Sequence, residues 1–68
     1  MKIKYFEDTD TALLEFSNNA VVETKEISEN IYIDVDKDGN LISMTIEHAG
    51  KKASIRNFSF ETMNSNKA

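Results

Sequence analysis

The chain of 68 residues has no cysteine, no proline and no tryptophan, and it has only two glycines and one histidine. Without cysteine, a disulfide, a thiolate metal site and a cysteine nucleophile are all excluded. Two glycines are too few for a glycine-rich phosphate-binding loop, and one histidine argues against zinc, which takes three or four protein ligands. We therefore expect no metal, no cofactor and no catalytic residue.

Positive charge is also scarce. Eight basic residues stand against twelve acidic ones, which gives a formal net charge of −4, and the lysines are scattered along the chain. Nucleic-acid binding requires a clustered basic face, so the composition predicts no nucleic-acid partner and favours a basic protein partner. No apolar run approaches the roughly 18 residues of a membrane span, and the start "MKIKYFED" lacks the apolar stretch of a signal peptide. We expect no membrane association and a cytoplasmic location.

The length of the chain limits its core. A chain of 68 residues predicts a single domain, residues 1–68, and a domain of this size buries only about 60% of the surface that its unfolded chain exposes. Small domains usually add a disulfide, a metal or a partner subunit. Because a sheet built from so short a chain cannot have both faces covered, we expect a homodimer.

Apolar and polar residues alternate along five segments with the period of β-strands. These segments are residues 2–6, 12–16, 21–27, 31–36 and 41–48. The separators "EDTD", "SNN", "SEN" and "KDGN" are short and rich in turn-forming residues, and short connections join antiparallel neighbours. The pattern predicts a mainly β (α+β) fold, with an antiparallel five-stranded meander sheet.

The apolar period changes after the fifth segment. Residues 48–54 predict one or two helical turns, although Gly50 weakens a helix by about 1 kcal/mol relative to alanine. The tail, residues 55–68, carries four large apolar side chains, Ile55, Phe58, Phe60 and Met63. A sheet with one apolar face needs a cover, so we expect the tail to fold over its own sheet or to dock on a second copy. Its last residues are expected to be disordered.

The stretch "DVDKDGNL", residues 34–41, is similar to the start of a calcium-binding loop. An EF-hand loop needs a bidentate glutamate at its twelfth position, which is Thr45 here, and helices on both sides. A two-residue type I′ turn at Asp38 and Gly39 explains the stretch without a metal. That turn places apolar residues opposite each other, in the pairs Val35 with Ile42, Ile33 with Met44 and Ile31 with Ile46. We predict a hairpin, with incidental cation binding by the three aspartates as the alternative.

The same pairing rules extend to the third strand. A two-residue turn at Ser28 and Glu29 gives apolar-face pairs with the fourth strand, Val22 with Val35 and Thr24 with Ile33. The opposite face is amphipathic, and contiguous apolar residues on an exposed face suggest an interface. The possible interaction surface consists of Leu13, Glu15, Val21, Glu23, Tyr32, Asp34 and Leu41.

Two arrangements would bring acid–base groups together. His48 follows Glu47, but consecutive strand residues point to opposite faces, which favours a local structural role for the histidine. Glu15 and Glu23 could lie on adjacent strands as a carboxylate pair, in which repulsion raises one pKa. On a solvated face such carboxylates are ordinary charges. Neither arrangement predicts a catalytic site.

Residues 5–49 resemble a known family. The features that carry the resemblance are Tyr5, the acidic turn that ends at Asp10, the strand "ALLEF", Val22 to Thr24 with Glu26, and the hairpin "DVDKDGNLISMTIE". In this order and spacing they are similar to the bacterial domain of unknown function 2283 family, small β-rich proteins of about this length. The resemblance implies a short helical segment after the last strand, where this chain has "HAGKKA". It implies little about activity, because the family has none assigned.

Three functional hypotheses follow. The first is a non-catalytic protein-interaction module, antitoxin-like in its small size and acidity, whose acidic sheet or tail masks a basic partner. The alternative is a homodimeric small-ligand-binding protein or enzyme with a site at the subunit interface, near Glu15, Glu23, Tyr32 and Asp34. The third is a stable homodimer whose role depends on its cellular context. The first is favoured because the chain lacks the residue combinations that catalysis uses.

Overall fold

A computed structural model describes residues 1–53 and 57–64 of the chain. The described residues form five strands and one short helix. They are β1 (Lys2–Phe6), β2 (Thr11–Glu15), β3 (Glu23–Ser28), β4 (Ile31–Val35), β5 (Leu41–Glu47) and α1 (Ala49–Lys52). Every strand pair is antiparallel. The predicted fold class, an antiparallel five-stranded sheet followed by a short helical segment, is confirmed.

The strands lie in the order β1-β2-β5-β4-β3. The sheet thus consists of a β1–β2 hairpin and a β3–β4–β5 meander. These two parts are joined where β2 pairs with β5, so β2 and β3 are not neighbours. Residues 16–22 cross to the far edge past the ends of β5 and β4. On this path Phe16 N–H donates to Ile42 O at 2.8 Å and Val22 N–H donates to Val35 O at 2.8 Å. The order places the apolar strand β5 in the centre, whereas β3, in which all six residues are exposed, forms a charged edge that resists edge-to-edge pairing.

The β4–β5 hairpin has the predicted register along most of its length. Its confirmed pairs are Ile31 with Ile46, Tyr32 with Thr45, Ile33 with Met44 and Asp34 with Ser43. The predicted two-residue turn is wrong. The loop has three residues, 37–39, because Asp36 N–H donates to Asn40 O at 3.0 Å and only Gly39 takes a left-handed φ, of 82°. A three-residue loop that ends with a left-handed glycine has one residue more than the predicted two-residue turn. Val35 therefore lies opposite Leu41 instead of Ile42.

The predicted register of β3 is wrong by one residue. The turn uses Glu29 and Asn30, with Asn30 at a φ of 76°, a conformation that asparagine tolerates better than most residues. An irregularity between Glu26 and Ser28 shifts the pairing further along the strand. Glu23 therefore lies opposite Val35, and Thr24 lies opposite Asp34. Thr24 joins the face of Asp34, while Glu23 lies on the other face.

Strand alternation and register divide the sheet into two faces. The apolar face carries Ile3, Tyr5, Ala12, Leu14, Glu23, Lys25, Ile31, Ile33, Val35, Ile42, Met44 and Ile46. The polar face carries Lys2, Lys4, Phe6, Thr11, Leu13, Glu15, Thr24, Glu26, Tyr32, Asp34, Ser43, Thr45 and Glu47. Among the described residues, the buried apolar side chains are Ala12, Val35, Ile42 and Ala49. The core is thin, because Val35 and Ile42 are the buried large side chains of the apolar face, and its other large apolar side chains are only half-buried.

The helix α1 is shorter than predicted and is docked by Asp10. The backbone oxygen of Asp10 accepts the N–H of Ala49 at 2.8 Å. Its side-chain Oδ1 accepts the N–H of Gly50 at 2.9 Å and the hydroxyl of Tyr5 at 2.5 Å. Asp10 and His48 both take left-handed φ angles, 56° and 57°. These contacts close one end of the apolar face over Ala12, which is fully buried.

The described part of the tail, residues 57–64, does not cover the sheet. Its large apolar side chains are exposed, with Phe58 at 57%, Phe60 at 75% and Met63 at 78%. Ile55 and the last residues, 65–68, for which disorder was predicted, lie outside the described residues. No helix in residues 1–53 or 57–64 is long and apolar enough to cross a bilayer. The single-domain organisation stays a prediction.

Candidate functional site

Two of the three aspartates in the calcium-like stretch, Asp34 and Asp36, accept hydrogen bonds within the sheet and its loop. One oxygen of Asp36 accepts the N–H of Asn40 at 2.8 Å and the N–H of Asp38 at 2.9 Å. The pKa of Asp36 is lowered, chiefly because the backbone N–H of Asn40 donates to its carboxylate. Within residues 1–53 and 57–64, no three histidine, cysteine or acidic side chains gather into a group that could hold a metal. The stretch folds as a loop that the Asp36 carboxylate stabilises.

Asp34 joins three strands on the polar face. Ser43 Oγ donates to Asp34 Oδ2 at 2.6 Å, and Thr24 Oγ1 donates to Asp34 Oδ1 at 2.5 Å. The Ser43 hydroxyl, followed by the Thr24 hydroxyl, lowers the pKa of Asp34. Both carboxylate oxygens thus accept bonds that hold β5, β4 and β3 together. This carboxylate is suited to positioning strands and not to donating a proton at neutral pH.

Asp10 plays the corresponding role at the other end of the sheet. The hydroxyl of Tyr5, followed by the N–H of Gly50, lowers the pKa of Asp10. The same bonds attach α1 to the β1–β2 turn. His48 enters this region through its backbone, because its carbonyl oxygen accepts the N–H groups of Lys51 and Lys52 at 3.0 Å. The geometry agrees with a structural role for His48.

The predicted interaction surface is only partly brought together. Leu13, Glu15, Tyr32 and Asp34 share the polar face, as predicted. The assignment of Glu23 to that face is wrong, because the β3 register places it on the other face. Val21 lies in the crossover and Leu41 lies at the irregularity opposite Val35, and both are exposed.

The proposed carboxylate pair of Glu15 and Glu23 does not form. Glu15 is on β2 and Glu23 is on β3, and both β5 and β4 lie between these strands. Glu15 lies instead beside Lys4, with 3.5 Å between Oε1 and Nζ. The prediction failed because it assumed that β2 and β3 are neighbours. An acid–base mechanism that needs these two carboxylates together has no support in the fold.

Sequence reasoning missed a different cluster on the polar face. We call it the Tyr32 acidic patch, and it consists of Glu26, Glu29, Tyr32 and Glu47. Glu26 faces Tyr32 directly across the β3–β4 pair, Glu29 lies in the turn between these strands, and Glu47 ends the neighbouring strand β5. The three carboxylates raise the pKa of Tyr32, with Glu47 as the largest cause and Glu26 as the next. The predicted pairing of Tyr32 with Thr45 already placed Glu47 nearby, whereas Glu26 and Glu29 required the true register of β3.

The patch has the properties of a recognition surface. Its three glutamates are exposed and Tyr32 is half-buried. In residues 1–53 and 57–64, no lysine forms an ion pair with these glutamates, whereas Lys4 pairs with Glu15. Tyr32 can offer its ring and its hydroxyl to a partner, because it combines an apolar body with a polar tip. Three negative charges thus surround an aromatic side chain, and the described lysines do not pair with them.

Comparisons with known proteins place the chain in a family. Neither a search of curated proteins nor a search of solved structures finds a match. A family model matches residues 2–49, which include all five strands of the sheet and the first residue of α1. The family is described as a protein of unknown function. On this match the chain belongs to the DUF2283 family.

Proposed function

We propose that the protein is a non-catalytic protein-interaction module that binds a basic partner through the Tyr32 acidic patch. The observation that carries this proposal is the convergence of Glu26, Glu29 and Glu47 on Tyr32, a convergence strong enough to raise the pKa of the tyrosine. The cytoplasmic location expected from the sequence forms part of the proposal. An antitoxin-like role, in which the patch masks a basic surface of a toxin, is one form that it can take.

The chemistry of the patch fits an arginine or lysine of a partner. Carboxylates form short, charge-assisted hydrogen bonds with these side chains, and arginine can bind two carboxylate oxygens at once. The face of Tyr32 can stack against the same cation, which adds about 0.5–2 kcal/mol in known cases. Tyrosine is also one of the residues that most often dominate binding energy at protein interfaces. One basic side chain could thus engage the ring and two of the glutamates.

The carboxylates with shifted pKa values support a non-catalytic role. A carboxyl group that donates protons near neutral pH needs a raised pKa. Asp10, Asp34 and Asp36 have lowered pKa values, because hydroxyl and N–H groups donate to them. These bonds serve the fold. The alternative of an enzyme site near Glu15, Glu23, Asp34 and Tyr32 loses support, since Glu15 and Glu23 are separated in the sheet.

The test measures binding with three forms of the full chain. The patch variant carries Glu26→Gln, Glu29→Gln and Glu47→Gln, and the control carries Asp8→Asn, Glu23→Gln and Glu61→Gln. Both variants lose the same charge, but the control leaves the patch intact. Each form is used as bait at low salt, and the affinity and association rate of a captured basic protein are then measured with purified components.

The expected result is equimolar binding that the patch variant loses and the control retains. Association should slow as salt rises, because attraction between exposed charges is screened within about 8–10 Å at physiological ionic strength. Equal loss of binding in both variants would show that overall charge, and not the patch, is recognised. An association rate that is independent of salt would contradict the electrostatic basis of the proposal.

A further inference from the structure

The apolar face of the sheet is a continuous surface of half-buried side chains. One row across it consists of Ile3, Leu14, Met44 and Ile33, each paired with the next in the register. The adjacent row consists of Tyr5, Ala12, Ile46 and Ile31. Ala12, near the helix α1, is fully buried. The other side chains of both rows are partly exposed. A sheet with an apolar face must bury it against another layer.

We propose that a second copy of this chain provides that layer, so that two apolar faces pack against each other in a symmetric two-sheet dimer. This inference goes beyond the proposed function, which concerns the opposite face. Two observations favour a second copy over other occupants: the distribution of charge and the position of the tail.

The chain exposes more surface than a compact monomer of its mass. It exposes 5472 Å², whereas compact monomeric proteins of 7.7 kDa expose about 4300 Å² by the usual scaling with mass. The tail contributes to this excess of roughly 1100 Å², because residues 57–64 are all exposed. The excess is therefore an upper limit on the area that the open apolar face contributes, and a standard protein interface buries about 800 Å² on each partner.

The distribution of charge favours self-association through this face. Its charged residues are Glu23 and Lys25, which have opposite signs and lie on the edge strand β3. Two copies can therefore meet over the central strands without bringing like charges together. A basic partner would find no carboxylates at the centre of this face, whereas the Tyr32 acidic patch lies on the other one. A second copy of this chain could pack on the face through shape and apolar complementarity alone.

The described tail leaves the face open. Residues 57–64 are all exposed, and their large apolar side chains do not pack on the sheet. A second copy of the sheet, in contrast, presents a face of the same size. Two packed sheets lie about 10 Å apart with their strands within about 30° of each other. In a two-fold dimer the same patch is used on both subunits, which places Met44, in the middle of the central strand β5, near the symmetry axis.

The test compares two lysine substitutions on neighbouring residues of β5 in the full chain. Met44→Lys puts a charge at the centre of the apolar face, and two such charges would meet near the symmetry axis. Thr45→Lys adds the same charge to the same strand on the polar face. Mass in solution is measured by sedimentation and light scattering from micromolar to millimolar concentration. We expect the unchanged chain and Thr45→Lys to be dimeric and Met44→Lys to be monomeric at concentrations at which the unchanged chain is fully dimeric.

A second measurement on the unchanged chain decides the matter if Met44→Lys fails to fold. A mixture of isotope-labelled and unlabelled chains should show magnetisation transfer between the methyl groups of Met44 and Ile33 of different molecules. A monomer at millimolar concentration would overturn the inference. So would a dimer that survives Met44→Lys but not Thr45→Lys. Transfer between Met63 and Met44 within one molecule would also overturn it, because the tail would then be the cover.

Discussion

The hydroxyl of Ser43 lies 2.6 Å from Oδ2 of Asp34, across the central pair of strands β5 and β4. Ser43 is the buried polar residue of the described chain, with 7% of its surface exposed. The hydroxyl of Thr24, on β3, donates to the other carboxylate oxygen of Asp34. The polar face is therefore held together by a carboxylate that accepts from both neighbouring strands.

Ser43→Ala should destabilise the fold. A hydrogen bond to a charged group contributes about 1.5–3 kcal/mol when it is well shielded, and because Asp34 is partly exposed we expect a loss of about 1 kcal/mol. The pKa of Asp34 should rise toward its ordinary value at the same time, since the Ser43 hydroxyl is the main cause of its lowering. Urea unfolding and a carboxyl titration by nuclear magnetic resonance measure the two effects. Thr45→Ala, on the same face and strand, is the control and should leave the pKa of Asp34 unchanged.

Acid should unfold the protein through its structural aspartates. The pKa values of Asp10, Asp34 and Asp36 are lowered from 3.8 in the folded chain. The unfolded chain therefore binds protons more readily than the folded one, and stability rises with pH through this range. The stabilisation should be complete above about pH 4 and should be lost as pH falls through the lowered pKa values. Melting temperatures measured between about pH 6 and about pH 2 test this expectation.

Asp10→Asn provides the corresponding variant. It removes a carboxylate with a lowered pKa, so the melting temperature should depend less steeply on pH below about pH 4. Glu61→Gln, which changes an exposed carboxylate in the tail, should leave the profile as it was. An unchanged slope in Asp10→Asn would show that the bonds from Tyr5 and Gly50 do not stabilise the ionised form.

Gly50→Ala should loosen the docking of α1. A Cβ atom at this position would lie 2.9 Å from Asp10 Oδ1, so the carboxylate must move away from the N–H that it accepts. In an exposed helix the same change adds about 1 kcal/mol of stability, and we expect this gain to be absent. Amide exchange at Ala49 should accelerate, whereas Lys51→Ala should leave it unchanged. A stabilisation of about 1 kcal/mol would show that the contact with Asp10 is easily rearranged.

Glu47→Gln should lower the pKa of Tyr32. Glu47 is the largest cause of the raised pKa, because its negative charge opposes formation of the phenolate, and Glu29 is the smallest charged cause. Glu47→Gln should therefore move the pKa of Tyr32 closer to 10.0 than Glu29→Gln does. Titration of the tyrosine ring signals measures both shifts, and Tyr5 can be followed in the same samples. Equal shifts in the two variants would contradict the arrangement of the patch.

Local patterns predicted the strands better than they predicted the sheet. Alternation located all five strands, and the apolar pairs of β4 and β5 predicted most of their register. The exact loop between them depends on how the Asp36 carboxylate bonds to Asn40 and Asp38. That preference is a detail of side-chain geometry, and the "DG" signal alone did not reveal it.

Long-range choices were harder to predict from the sequence. The separator "SNN" suggested a tight turn between β2 and β3, but residues 16–22 cross to the far edge of the sheet instead, and β2 pairs with β5. The register of β3 depends on Asn30 in a left-handed conformation and on an irregularity after Glu26. Glu26 and Glu29 reach Tyr32 only in that register, and the Tyr32 acidic patch was consequently missed.

The central strand of the sheet, β5, is the last of the five described strands in sequence order. During synthesis, β1–β2 and β3–β4 can each form a hairpin as they leave the ribosome, but they remain separate until β5 arrives and pairs with β2 and β4. Contacts between distant parts of a chain form slowly, because the entropy of closing the loop is lost before the contacts are gained. The newly made chain therefore has unpaired strand edges until its residues up to Glu47 are available.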